Sequence, residues 1–253
     1  MVHARRGEGS VRSADGYDIN FATNTLGPHA LTLALEPLLH ASAPARVRSR
    51  RCCGALFFVS WACLPAGTSP TAFGHALTSE SPASSPTSPP FTNTTQVIFV
   101  SSGGQYTEGL EVDDLEGAKL PGDDATRQYA QDKRRQVALA ERWAARWAAR
   151  GGAAVAAYSM HPGWAETEGV KTSIPGFYNA FKGKLRDLAQ GADTVVWLCL
   201  QDMEKLEPGA FYLDRSPQAK HLALAGTRYA PAAVDRLWER LGEMAAPALP
   251  AAA

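Results

Sequence analysis

Cysteine is scarce in this chain. Its four residues, Cys52, Cys53, Cys63 and Cys199, form no Cys-x-x-Cys pair, and three of them crowd into one stretch. Placed so, they supply no disulfide framework and point to a reducing compartment. No histidine or cysteine at ligand spacing accompanies them, so no metal site is expected. A surplus of charge is also lacking, with 25 basic against 25 acidic residues. That removes the basis for a nucleic-acid or anionic-membrane partner. Long apolar runs are missing too. The longest covers the ten residues Ala55 to Leu64, against the roughly 20 needed to cross a bilayer. It starts too far into the chain for a signal peptide. The expectation is a soluble, cytoplasmic protein. Arg5, Arg6 and Arg12 are interrupted by Glu8 and Asp15, which leaves organelle targeting open.

A glycine-rich phosphate-binding turn is absent as well. Gly7-Glu8-Gly9 has no strand before it and no third glycine three residues on, so it fails as a dinucleotide fingerprint. Residues 1–14 lack periodicity and read as a disordered terminus.

What is present begins at residue 15. A helix is expected from Asp15 to His40, capped by Asp15 or Asp18, with Phe21, Leu26, Leu31, Leu35 and Leu38/Leu39 as its apolar stripe. Gly27-Pro28 is a fault that bends or interrupts it. Residues 41–95 then change character: a basic patch, the short apolar run, and a Ser/Thr/Pro tract from Thr68 to Pro90. Prolines at that density deny helix and ladder hydrogen bonds, so the stretch reads as a low-complexity insertion.

Order returns at Gln96–Ser101, a β-branched apolar run suited to a strand buried on both faces. Residues 105–125 are acidic and polar, the look of a surface loop. Ala125 to Arg150 is the best helix pattern, with the stripe Tyr129, Lys133, Val137, Ala140, Ala144 and Trp147 facing inward. Asp132, Arg134, Arg135 and Arg142 fall to its sides and outside. Ala153–Met160 is a second strand, Asp187–Leu200 a helix, Ala210–Leu213 a short strand and Ala232–Met244 an amphipathic helix. Residues 246–253 read as a disordered tail. This alternation indicates a parallel α/β sheet within one domain over 15–245.

Tyr-x-x-x-Lys alone is a weak signal and occurs twice. Tyr178–Lys182 has no strand ending in serine ahead of it and lies in a Gly/Pro-rich segment, so it is set aside. Tyr129–Lys133 follows such a strand and lies on the inward face. A buried ammonium is costly unless paired or used. One turn from a phenol it favours the phenolate, which lowers the tyrosine pKa toward useful acid/base chemistry. Ser102, at the strand exit, can hydrogen-bond the same substrate oxygen.

Five segments together resemble the short-chain dehydrogenase/reductase family. They are Asn20–Gly27, Val100–Gly104, Tyr129–Arg134, His161-Pro162-Gly163-Trp164-Ala165-Glu166-Thr167 and Gln190–Thr194, in the family's order. The resemblance implies a Rossmann-like, doubly wound parallel sheet, here partial because the first strand-helix units and the glycine-rich turn are not in the sequence. Truncation is the resulting expectation. The resemblance also implies roles: Asn24 holds a water in a proton relay, Ser102 orients the carbonyl, Tyr129 is the general acid/base, and Lys133 lowers its pKa and bonds the nicotinamide ribose. Pro162, Gly163 and Thr167 lie along the cofactor, NAD or NADP. The implied reaction is hydride transfer between that cofactor and a small-molecule carbonyl or secondary alcohol. Ile174, Phe177, Tyr178 and Phe181, in the loop spanning about 168–186, suggest an apolar substrate. Homo-oligomerisation rests on the resemblance alone. Two readings stay open: an active oxidoreductase, or a non-catalytic fragment that keeps the serine, tyrosine and lysine without binding cofactor.

Overall fold

The computed structural model describes residues 11–42, 55–58, 95–121, 124–150 and 155–249. Cys52, Cys53, Cys63, the Ser/Thr/Pro tract and residues 1–10 lie outside them. Five strands form one sheet: β1 (Ala55–Phe58), β2 (Thr95–Val100), β3 (Val155–Met160), β4 (Phe211–Leu213) and β5 (Ser216–Gln218), in that spatial order. The first four run parallel and β5 pairs antiparallel with β4. β1 comes from the short apolar run within 41–95, so this much of the stretch read as an insertion joins the sheet as a parallel neighbour of β2.

Helices cover both faces, and strand periodicity sorts the side chains between them. Val97 and Phe99 of β2 and Val155 and Ala157 of β3 point into one core, with α2 (Gly27–Ser42), α3 (Ala125–Ala149) and α7 (Pro231–Ala245). Ile98, Ala156, Tyr158 and Met160 point into a smaller core under α6 (Leu188–Leu200). The larger core centres on Trp143 and Trp147, both fully buried, with Trp238 against Trp143 at 4.7 Å between ring centroids. Each such side chain contributes on the order of 2–3 kcal/mol by burial. The smaller core is thinner, and Leu188, Val196 and Leu200 of α6 stay exposed.

The expected first helix is α1 (Ile19–Phe21), a π-helical turn (Ala22–Leu26) and then α2. Asp18 caps it, accepting from Asn20 and Phe21 amides at 3.0 and 3.1 Å. The Gly27-Pro28 fault thus takes the form of a wide turn, not a break. A π turn inserts about one residue, rotating the remainder of the helix by roughly 100°. That is why the apolar stripe fails beyond it: Leu31 and Leu38 are exposed, while His29, Thr32, Glu36 and Leu39 face inward. Residues 11–14, read as part of a disordered terminus, form a turn held by Ser13 N donating to Tyr17 O at 2.8 Å.

Two further segments differ from expectation. Residues 105–121 are a strap more than a surface loop, because Val112 and Leu115 enter the main core. Residues 168–186 hold two short helices, α4 (Glu168–Ser173) and α5 (Pro175–Phe181). Strand β5 has no counterpart in the sequence-based expectation. Its turn places Asp214 and Arg215 at φ 52° and 60°, a conformation for which Asn-Gly is the usual signal. Arg186 binds Asp214 and Arg215 binds Asp193, which hold the unusual pair in place.

Candidate active site

β2 and β3 end side by side, where Ser101 N donates to Met160 O at 2.7 Å. The carboxyl ends of neighbouring parallel strands are where open α/β sheets take ligands. The two serines at the exit split by strand alternation. Ser101 is buried and its Oγ donates to the Lys133 carbonyl at 2.7 Å, pinning α3 to the strand. Ser102 is partly exposed, caps the next turn by accepting from Gly104 N at 3.2 Å, and is hydrogen-bonded to the Tyr129 hydroxyl. Of the two, Ser102 is therefore the serine that faces the tyrosine, as the sequence pattern indicates.

Tyr129 and Lys133 sit on α3, whose start is capped by Asp124 accepting from Arg127 N at 2.9 Å. Lys133 Nζ lies 5.3 Å from the Tyr129 ring centroid. It donates to the Val100 carbonyl at 2.7 Å and to Gln136 Oε1 at 3.1 Å. Burial, opposed by Asp132, brings its pKa down to about 7. The expected drop in the tyrosine pKa does not occur in this state of the protein. Burial pushes the Tyr129 phenol up to about 12, with Ser102 pulling down and the Asp132 carboxylate adding to the rise. The ammonium sits by the ring with two neutral acceptors, and desolvation wins.

The charged residues flanking the pair are also misplaced by helical-stripe reasoning. Asp132, Arg134 and Arg135 are all fully buried, because the strap and the segment after β5 wrap the sides of α3. Asp132 Oδ1 accepts from Thr25 Oγ1 at 2.7 Å and from Arg135 at 2.9 Å. Arg135 also donates to the carbonyls of Glu111, Leu115 and Asp114. Arg134 binds Gln105 and the carbonyls of Lys220 and Thr227. Only Arg142 is at the rim, 3.0 Å from Asp235.

Asn24 is fully buried in the π turn. Its carbonyl accepts Gln136 Nε2 at 2.7 Å. Asn24 therefore reaches Lys133 through Gln136, a residue that motif and periodicity do not single out. A polar side chain three residues past the lysine, on a buried helix face, was the available signal.

The segment after β3 closes the site. His161 is buried with its ring against Gly103, where a Cβ would stand 3.1 Å from Nε2. Burial, aided by Arg186, drives His161 down to about 4, so it is neutral at pH 7. Pro162, Gly163 and Thr167 are partly exposed. Gly163 has φ 76°, and Arg186 packs where its side chain would be. Thr167 caps α4, its Oγ1 accepting from Val170 N at 3.2 Å. Exposed Trp164 stacks with Phe177 and Phe181 at 5.4 and 5.3 Å between ring centroids. Tyr178, of the second Tyr-x-x-x-Lys match, instead donates to Glu166 at 3.3 Å. Ser102, Tyr129 and Lys133 are thus brought together directly, Asn24 through Gln136, and the 161–163 segment through Gly103.

Comparison with known proteins decides the family. Human dehydrogenase/reductase SDR family member 12 is 36% identical over 232 residues, covering 91% of this chain. Its bovine counterpart is 37% identical over the same share. The chain is a homologue of the short-chain dehydrogenases/reductases. It spans 56% of the length of these relatives. A crystal structure of an uncharacterised Mycobacterium paratuberculosis protein matches with a TM-score of 0.55 at 17% identity, covering 94% of this chain and 62% of that one, which shows the shared fold alone. No family model matches. Among the described residues no cluster of three or more histidine, cysteine or acidic side chains could hold a metal, and no helix is long and apolar enough to cross a membrane.

Proposed function

We propose that this chain carries the catalytic residues of an NAD(P)-dependent carbonyl reductase of the short-chain type. One observation carries the reading: a partly exposed Tyr129, hydrogen-bonded to Ser102 and backed by Lys133, at the paired exits of β2 and β3. Tyr129 is the proton donor to the carbonyl oxygen and Ser102 holds that oxygen in line. Burial keeps the phenol protonated at neutral pH, as a proton donor to a carbonyl oxygen must be. Lys133, in its protonated form, supplies positive potential beside the ring. The exposed aromatic group of Trp164, Phe177 and Phe181 supports an apolar substrate. A homo-oligomer is the assembly the resemblance suggests.

The nicotinamide end of the cofactor fits the residues present. Pro162, Gly163 and Thr167 are partly exposed on the segment after β3 and would lie along the cofactor. Tyr129 and Lys133 would face the ribose. Bound there, the cofactor supplies the hydride. The second reading is a chain that keeps the site residues and does not hold cofactor. Titration of the protein's tryptophan fluorescence with NADPH and NADH separates the two. Saturable quenching at micromolar cofactor, weakened in Lys133→Met, is the expected result; no binding of either cofactor supports the second reading.

A further inference from the structure

We propose that Gln136 is a positioning residue for Lys133, its amide bridging the lysine ammonium to the Asn24 carbonyl. Resting on the reading of Tyr129 and Lys133 as the working pair, the inference assigns the interval between Asn24 and the lysine to a protein side chain. Gln136 is fully buried. Its Oε1 accepts from Lys133 Nζ at 3.1 Å and its Nε2 donates to Asn24 O at 2.7 Å. Chemistry fixes the orientation, since the flipped amide would set NH2 against the ammonium and oxygen against the carbonyl.

Two features of the fold build this bridge. The π turn at Ala22–Leu26 buries Asn24 against α3, where Gln136 reaches its carbonyl. The three-residue spacing of Lys133 and Gln136 then puts both side chains on one face of α3. With Val100 O as the second acceptor, the ammonium is held from the strand side and from the α2 side. One of its three N–H groups is left beyond those two acceptors, and a lysine without the bridge would be free to rotate away from Tyr129.

The neutral amide also sets the charge of the site. Among the acceptors that touch Lys133 no carboxylate appears, and Asp132, next to it, is engaged by Thr25 and Arg135. The titratable groups facing the ammonium are Tyr129 and Asp132 of its own helix and His161 of the segment after β3. A carboxylate in place of the amide would hold the proton on Lys133 more firmly.

The test uses the full chain, labelled with ε-13C lysine, with the Lys133 resonance assigned by its loss in Lys133→Met. In the wild-type protein Lys133 is expected to titrate near neutrality. Gln136→Glu should move that titration up by about one unit or more, and Gln136→Leu should move it down. Opposite shifts support the bridge. An unchanged Lys133 titration in both variants overturns it, whatever the change in thermal stability. Should Gln136→Leu fail to fold, Gln136→Glu carries the test by itself. None of these readouts needs cofactor or turnover, so loss of cofactor binding would count against the proposed function and leave this result standing.

Discussion

Lys133 and Arg135 are two buried cations within one turn of α3, and the protein treats them oppositely. Arg135 is answered by the Asp132 carboxylate and three carbonyls. Lys133 is answered by one carbonyl and one amide, both neutral. Burial alone therefore does not distinguish structure from chemistry on this helix; the partners do. The arginine with a carboxylate ties the strap to α3 and stays charged. The lysine without one sits near neutrality, close to a phenol.

Substitutions can break this contrast, and the largest effect is expected at the phenol. If the site reduces carbonyls, Tyr129→Phe should lower turnover by about 10²-fold or more, with the urea midpoint little changed. Equal rates for variant and wild type would remove Tyr129 from the mechanism. Arg135→Met should come next, destabilising by about 3–5 kcal/mol because it strands a buried Asp132, measured by urea unfolding. A loss under about 1 kcal/mol would show that Asp132 takes up its proton and is content without a partner.

Lys133→Met should behave in the opposite sense and with a pH signature. The folded pKa of Lys133 is depressed to about 7, below the unfolded value near 10.4. Below the folded value the unfolded state holds the proton more favourably, and the full cost is present. As pH rises from about 7 toward the unfolded value, the native state gains stability relative to the variant, and the cost vanishes above it. Wild type should gain a few kcal/mol of stability relative to the variant between about pH 6 and about pH 11. A difference independent of pH would deny the lysine its shifted titration. The smallest effect is expected from Gln136→Asn, whose shorter amide can keep one of the two bridge contacts and not both. Its Lys133 titration should move by less than in Gln136→Leu, in the same direction.

Much of this was legible from residues alone. Strand β2, its serine exit, α3 with Tyr129 and Lys133 inward, and the segment from His161 to Thr167 come from apolar periodicity and local motif. Ser102 stands out over Ser101 in the sequence, and strand alternation explains why that choice holds. The misreadings have definable reasons. The stripe on α2 broke because one extra residue in the π turn rotates the phase. The flanks of α3 were assigned to solvent because periodicity describes one helix and says nothing of a strap packed on its side. The rise of Tyr129 instead of a fall came from desolvation, a property of the surroundings.

The sequence by itself determined the family, the main strands and helices from residue 95 onward, and the spacing of Ser102, Tyr129 and Lys133. Those depend on spacings of two to four residues, which the chain carries locally. Tertiary structure decided that the apolar run at 55–58 joins the sheet, that Asp132 and Arg135 are a buried pair, and that Gln136 spans from Lys133 to Asn24. That last contact joins residues 112 positions apart. No local pattern encodes it, because it exists only once two helices far apart in sequence pack against each other.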